Sequence, residues 1–253
     1  ITTSGSAARG GGAQSVGGGG GIGGDTSVGP LVLNNFGANV GINDSPAANS
    51  DGSAVDLTID GTVATTGLGA FGVIAQSIGG GGGLGGKGTT AFAGATAEDT
   101  GNSLSGTVDI EIGGSVSAAG ENAVGVFAQS QGLVSNDTIR VTVSGSVTGG
   151  TGEQGIGVLI SGGGTTGTNG GNLLTVASGG SVSAASGVAV FYQGDTDLSY
   201  SGLDVENSGT LNGDVVGYYA NGSPIIVDTT ALVAATAKAG DSIPGLAAVS
   251  LLN

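Results

Sequence analysis

Cysteine, histidine, tryptophan and methionine are absent from this 253-residue chain, and only four prolines and nine Phe and Tyr residues occur in it. Without cysteine there are no disulfides and no thiolate metal sites, although a chain this long buries enough surface to fold without such staples. The compartment is therefore left open by cysteine usage. Without histidine, Ser-His-Asp and Cys-His catalysis and His-based zinc sites are excluded. Cations are nearly absent too: Arg9, Lys87, Arg140 and Lys238 stand against nineteen acids, for a formal charge of −15. Such a surface repels phosphate backbones and anionic lipid, so nucleic acid is excluded as a partner. No run approaches the ~20 apolar residues of a membrane-spanning helix, so no direct membrane insertion of this segment is expected. The chain starts at Ile1 with no basic-plus-apolar leader and reads as a processed or excised piece.

What is abundant is glycine, 58 residues in all, alongside an apolar share of 38 %. That apolar share is too high for a disordered chain, and no three-residue collagen period runs through the glycines. Short β-branched and small residues fill the volume that aromatics would otherwise occupy, which suits thin, closely stacked strands.

Two motifs recur. The first is an alternating strand, a turn, then Ser or Thr before an aliphatic residue: VDLTIDGTV (55–63), VDIEIGGSV (108–116), IRVTVSGSV (139–147), LTVASGGSV (174–182) and LDVENSGTL (203–211). The second is GVIAQS (72–77), GVFAQS (125–130), GVLISG (157–162), AVFYQG (189–194) and GYYANG (217–222). Aligned this way, the first motif recurs at intervals of 53, 31, 35 and 29 residues and the second, at its Gln position, at 53, 32, 32 and 28. Two independent markers that drift together indicate successive laps of one solenoid. Within each lap the apolar period is two rather than 3.6, which selects strands over helices. Val55, Leu57 and Ile59 share a face, as do Val108, Ile110 and Ile112, while Asp56, Asp109, Glu111 and Arg140 fall on the other. The fold class this implies is all-β: a right-handed parallel β-helix of about five to six turns over residues 1–222, with a short helical or irregular C-terminal cap in 223–253. Ala-rich ALVAATAKAG (231–240) is the helix-favouring part of that cap.

The pentaglycines at 17–21 and 79–83 precede the two longest gaps, so they mark Gly-rich excursions near 17–54 and 79–105. A phosphate cradle is excluded there, because neither run leads into GK[ST]. The row Gln14, Gln76, Gln129, Ser161, Gln193 and Asn221 is either a ligand-binding row or a structural amide ladder; the ladder is the simpler reading. Asn207, at an inward position, requires an internal hydrogen-bond partner if buried.

These residues carry a resemblance. GVIAQSIGGGGGLGG, NAVGVFAQSQG, the [SG]-G-[ST]-[VL] turns and NSGTLNGDVVGYY, spanning roughly residues 10–222, resemble passenger regions of Gram-negative autotransporters, the type V secreted surface proteins. The resemblance implies a right-handed parallel β-helix, export through the outer membrane, and a role on or outside the cell. Residues 223–253 are too short to supply the translocator barrel such proteins carry, so the molecule is either anchored through a segment not present here or released.

Candidate chemistry is sparse. Asp109 with Glu111 and Asp204 with Glu206 are the carboxylate pairs a glycosidase would use. Sugar platforms would come from Phe191, Tyr192, Tyr200, Tyr218 and Tyr219. The acids Asp56, Asp109, Glu111, Asp204 and Glu206, with the turn Asp195-Thr196-Asp197, form a broken stripe that reads as a solvated face before it reads as a calcium site. Arg140 stacked on Asp109 reads as a surface ion pair. No catalytic, cofactor-binding or metal residue is assigned, and no cofactor is expected. The function read from this is a structural or adhesive module, a stiff rod whose loops and late turns contact a host or neighbouring-cell surface. A self-assembling fibre or biofilm matrix component is the alternative, and a polysaccharide-processing enzyme the third reading.

Overall fold

A strand whose alternate residues are Val55, Leu57 and Ile59 can dry only one face, and it needs copies of itself above and below to do so. The structure, a computed structural model, describes residues 1–17, 20–22, 51–80, 82–84, 92–93, 103–132, 134–164, 171–193, 202–218, 224–227 and 249–252. Among the described residues all regular structure is β, with no helix. The strands in chain order begin β1 (Thr2–Thr3), β2 (Arg9–Val16), β3 (Gly20–Ile22), β4 (Val55–Ile59), β5 (Thr62–Thr65), β6 (Phe71–Ile78) and β7 (Gly82–Leu84). They continue as β8 (Phe92–Ala93), β9 (Val108–Ile112), β10 (Ser115–Ala118), β11 (Val124–Gln131), β12 (Ile139–Val143), β13 (Ser146–Gly149) and β14 (Ile156–Gly162). The last are β15 (Asn172–Val176), β16 (Ser181–Gln193), β17 (Leu203–Asn207), β18 (Thr210–Tyr218), β19 (Pro224–Val227) and β20 (Val249–Leu252).

Each lap crosses three faces. First-face strands β4, β9, β12, β15, β17 and β20 form one six-stranded sheet. Second-face strands (β1, β5, β10, β13) and third-face strands (β2, β6, β11, β14) join in an eleven-stranded sheet, because β16 and β18 run through both faces. Every pairing between successive laps is parallel, consistent with a β-solenoid; β18–β19 and β7–β8 are the antiparallel pairings among the described residues.

The stacking makes files of like side chains. Leu57, Ile110, Val141, Leu174 and Val205 lie in register along the first face. Val63, Val116, Val147, Val182 and Leu211 do so along the second, and Val73, Val126, Val158, Val190 and Val215 along the third. These three files meet in a single buried cluster. Each fully buried Val or Leu contributes about 1.5–3 kcal/mol of transfer free energy, so the core is built from many small, equivalent contributions. Tyr192, the largest side chain in it, falls in register with Gly217 of the following lap, where no side chain competes for the space.

Two alignments need correction. LTVASGGSV does not begin where IRVTVSGSV begins: Leu174 pairs with Val141, not Ile139, and the strand is Asn172–Val176. The turn after it, Ala177–Gly180, holds two residues more than Ser144–Gly145, and this is what displaces the motif. The true first-face intervals, 53, 31, 33 and 31, are more even than those read from the motif. In the last lap Val215 and Gly217 pair with Val190 and Tyr192, so the stretch opposite AVFYQG starts at Val215, opposite Val190, rather than at Gly217. The cause is a bulge in β16, which spends more residues than β18 between Ser183/Asn212 and Val188/Asp214.

The pentaglycine strands do not part company at once. From Arg9–Phe71 through Val16–Ile78 to Ile22–Leu84 the two segments keep one register, and β3 and β7 form a separate small sheet with β8. The C-terminal segment contributes strands: β19 folds back on β18, and β20 extends the first-face sheet beyond β17. The helix-favouring stretch 231–240 lies outside the described residues.

At the corner between the second and third faces a glycine recurs as Gly72, Gly125 and Gly157. A Cβ on Gly125 would stand 2.6 Å from the Gly157 carbonyl oxygen and 2.7 Å from Val147 Cγ1. The corner therefore closes only where no side chain exists. Gly125→Val is expected to destabilise the chain by about 1–3 kcal/mol or more through overpacking, measured as a lowered midpoint in denaturant unfolding.

Candidate functional site

The third face carries polar and apolar files side by side on its side turned away from the interior. Its strands turn Val73, Ala75, Val126 and Ala128 into the interior, so alternation turns Ile74, Gln76, Phe127 and Gln129 the opposite way. That opposite side is nevertheless buried: Gln76 is 0 % exposed and Phe127 0 %. A second hydrophobic cluster forms there from Phe71, Ile74, Val124, Phe127, Ile156 and Leu159, with Val188 and Phe191 packed against it. The rings of Phe71 and Phe127 lie 5.9 Å apart at 45°.

The amides in this side are joined to one another. Gln14 Nε2 donates to Gln76 Oε1 (3.0 Å), Gln76 Nε2 to Gln129 Oε1 (2.7 Å), and Gln129 Nε2 to Gln131 Oε1 (3.0 Å). Ser161 and Gln193 follow in register. Of the two sequence readings, the geometry favours the structural ladder, because the carboxamides face each other along the axis. Asn221, aligned with this row from sequence, lies outside the described residues, and the pairing of Tyr192 with Gly217 removes the alignment that put it there.

The serine after each of these glutamines has its own task, which the sequence reading missed although AQS recurs. Ser15, Ser77 and Ser130 stack in register at the end of the third face. Ser15 Oγ accepts from Ser53 N (2.8 Å), and Ser77 Oγ accepts from Gly106 N and donates to the Ser53 carbonyl, both at 2.8 Å. Ser130 Oγ donates to the Gly106 carbonyl (2.9 Å) and lies 2.9 Å from Ser105 Oγ. Ser15 and Ser77 thus clamp the point where the chain leaves the stack to the point where it returns, and Ser130 ties its strand end to the return of the preceding lap. Where the serine gives way to Gly162, Asn172 takes over: its Nδ2 donates to the Gly162 carbonyl (2.9 Å) and its Oδ1 accepts from Ile139 N (3.0 Å). Asn172, fully buried in the file of Val108, Ile139 and Leu203, is the internal amide expected at Asn207. Asn207 itself is half-buried, and its Oδ1 accepts from Gly209 N (3.2 Å) in the following turn.

This clamped corner, from third face to first, is where lap length varies. It spans 38 residues between β2 and β4, 29 between β6 and β9 and 30 between β18 and β20, against 7 to 9 in the three laps from β11 to β17. Turns from the first face to the second take two residues, or four at Ala177–Gly180. Backbone bonds stack the departures, Gly17 N on the Ile78 carbonyl and Gly79 N on the Gln131 carbonyl, and the return, Gly52 N on the Leu104 carbonyl, each 2.8 Å.

The remaining candidates are dispersed. On the outer side of the first face, Asp56, Asp109, Arg140, Leu173 and Asp204 are consecutive in register, as are Thr58, Glu111, Thr142, Thr175 and Glu206. Two rungs therefore separate Asp109 and Glu111 from Asp204 and Glu206. Arg140 Nη1 lies 3.6 Å from Asp109 Oδ1, with both side chains well exposed, so the pair is screened by solvent. Among the described residues no group of three or more acids is placed to hold a metal ion. Phe191 and Tyr192 do not form one platform: Tyr192 is in the interior cluster, 3.5 Å from Asn172 Nδ2 through its hydroxyl, and Phe191 is on the opposite side. Lys87, Asp195 to Asp197, Tyr200, Tyr219 and Lys238 lie outside the described residues.

Searches against protein-family models, curated proteins and solved structures find no match to this chain.

Two substitutions separate the ladder from the charged face. Gln76→Ala leaves Gln129 with a buried, undonated Oε1 and is expected to cost about 1–3 kcal/mol. Asp109→Asn, which removes only an exposed ion pair, is expected to change stability by less than about 1 kcal/mol. Chemical denaturation of both variants at equal ionic strength makes the comparison.

Proposed function

We propose that the chain is a right-handed parallel β-helix serving as a structural or adhesive module of a secreted or cell-surface bacterial protein. The rod holds the excursions and late turns away from its axis, for contact with a host or neighbouring-cell surface. The right hand follows from the strong preference of parallel crossover connections for that sense. The proposal accords with the resemblance of GVIAQSIGGGGGLGG and NAVGVFAQSQG to autotransporter passengers.

The observation that carries the reading is that, among the described residues, the large differences in lap length fall at one corner. In repeat scaffolds the face that takes insertions is often the binding face, and here Ser15 and Ser77 hold the stack in register across connections of 38 and 29 residues. Specificity can change at that corner without disturbing the aliphatic files.

Replacing residues 23–50 by a short Gly/Ser link is expected to preserve the circular dichroism and cooperative melting of the rod, since loop closure changes by only about 0.6 kcal/mol per doubling of length. Adherence of the shortened chain to cells or to a matrix-coated surface is expected to fall. If the whole chain adheres no better than an inert protein, or the shortened chain adheres as well as the whole, the adhesive reading fails.

A further inference from the structure

We draw no further inference here: the strongest candidate, the apolar cluster on the outward side of the third face around Phe71, Phe127 and Leu159, is buried, but nothing among the described residues shows what covers it.

Discussion

Parallel stacking of each strand on its equivalent one lap later is the constraint from which the rest of this molecule follows. At about 4.8 Å between rungs, a side chain's nearest neighbours are its counterparts above and below, so each position must be compatible with a copy of itself. Small aliphatic residues meet that condition on every face, as in Val63–Val116–Val147–Val182 and in Leu57–Ile110–Val141–Leu174–Val205. Like charges meet it only on the solvent side, where Asp56 stacks on Asp109 and Arg140 follows as the counter-charge. Glycine meets it where backbones must touch, at the Gly72–Gly125–Gly157 corner.

The same constraint explains the polar residues that the fold buries. A carboxamide has both donor and acceptor, so a column of glutamines satisfies itself along the axis, as Gln14, Gln76 and Gln129 do. A hydroxyl is small and bonds in two directions, so Ser77 binds the backbone of two successive laps and Ser130 binds one backbone carbonyl and the Ser105 hydroxyl. Asn172 does this from within an aliphatic file: its amide spans from the Ile139 N–H to the Gly162 carbonyl, two backbone groups that stacking alone leaves unpaired. These contacts fasten one corner while the connections across it vary several-fold in length, and that division between a repetitive frame and a variable edge is what the functional proposal rests on.

Most of the frame was legible in the chain itself. Period-two alternation in VDLTI, VDIEI and IRVTV established strands with one dry face, and two motifs drifting together established laps. The register of Gln14, Gln76, Gln129, Ser161 and Gln193 emerged unchanged. Where alignment by motif went astray, at Leu174 and at Gly217, the error lay in turns and bulges, whose extra residues leave no mark on the strand pattern. The role of the AQS serines escaped notice because Ser15, Ser77 and Ser130 bond to residues dozens of positions away, at points no local pattern identifies.

Sequence alone determined that this chain is built of stacked, in-register, aliphatic strands without histidine- or cysteine-based chemistry, because periodicity and composition are local properties written in every lap. Tertiary structure alone decided that the glutamines serve one another, that Asn172 rather than Asn207 is the internal amide, and that Phe191 and Tyr192 face opposite ways. Each of these depends on which backbone groups the chain brings together between laps, and on turn lengths that shift whole strands by two or three residues without altering their appearance.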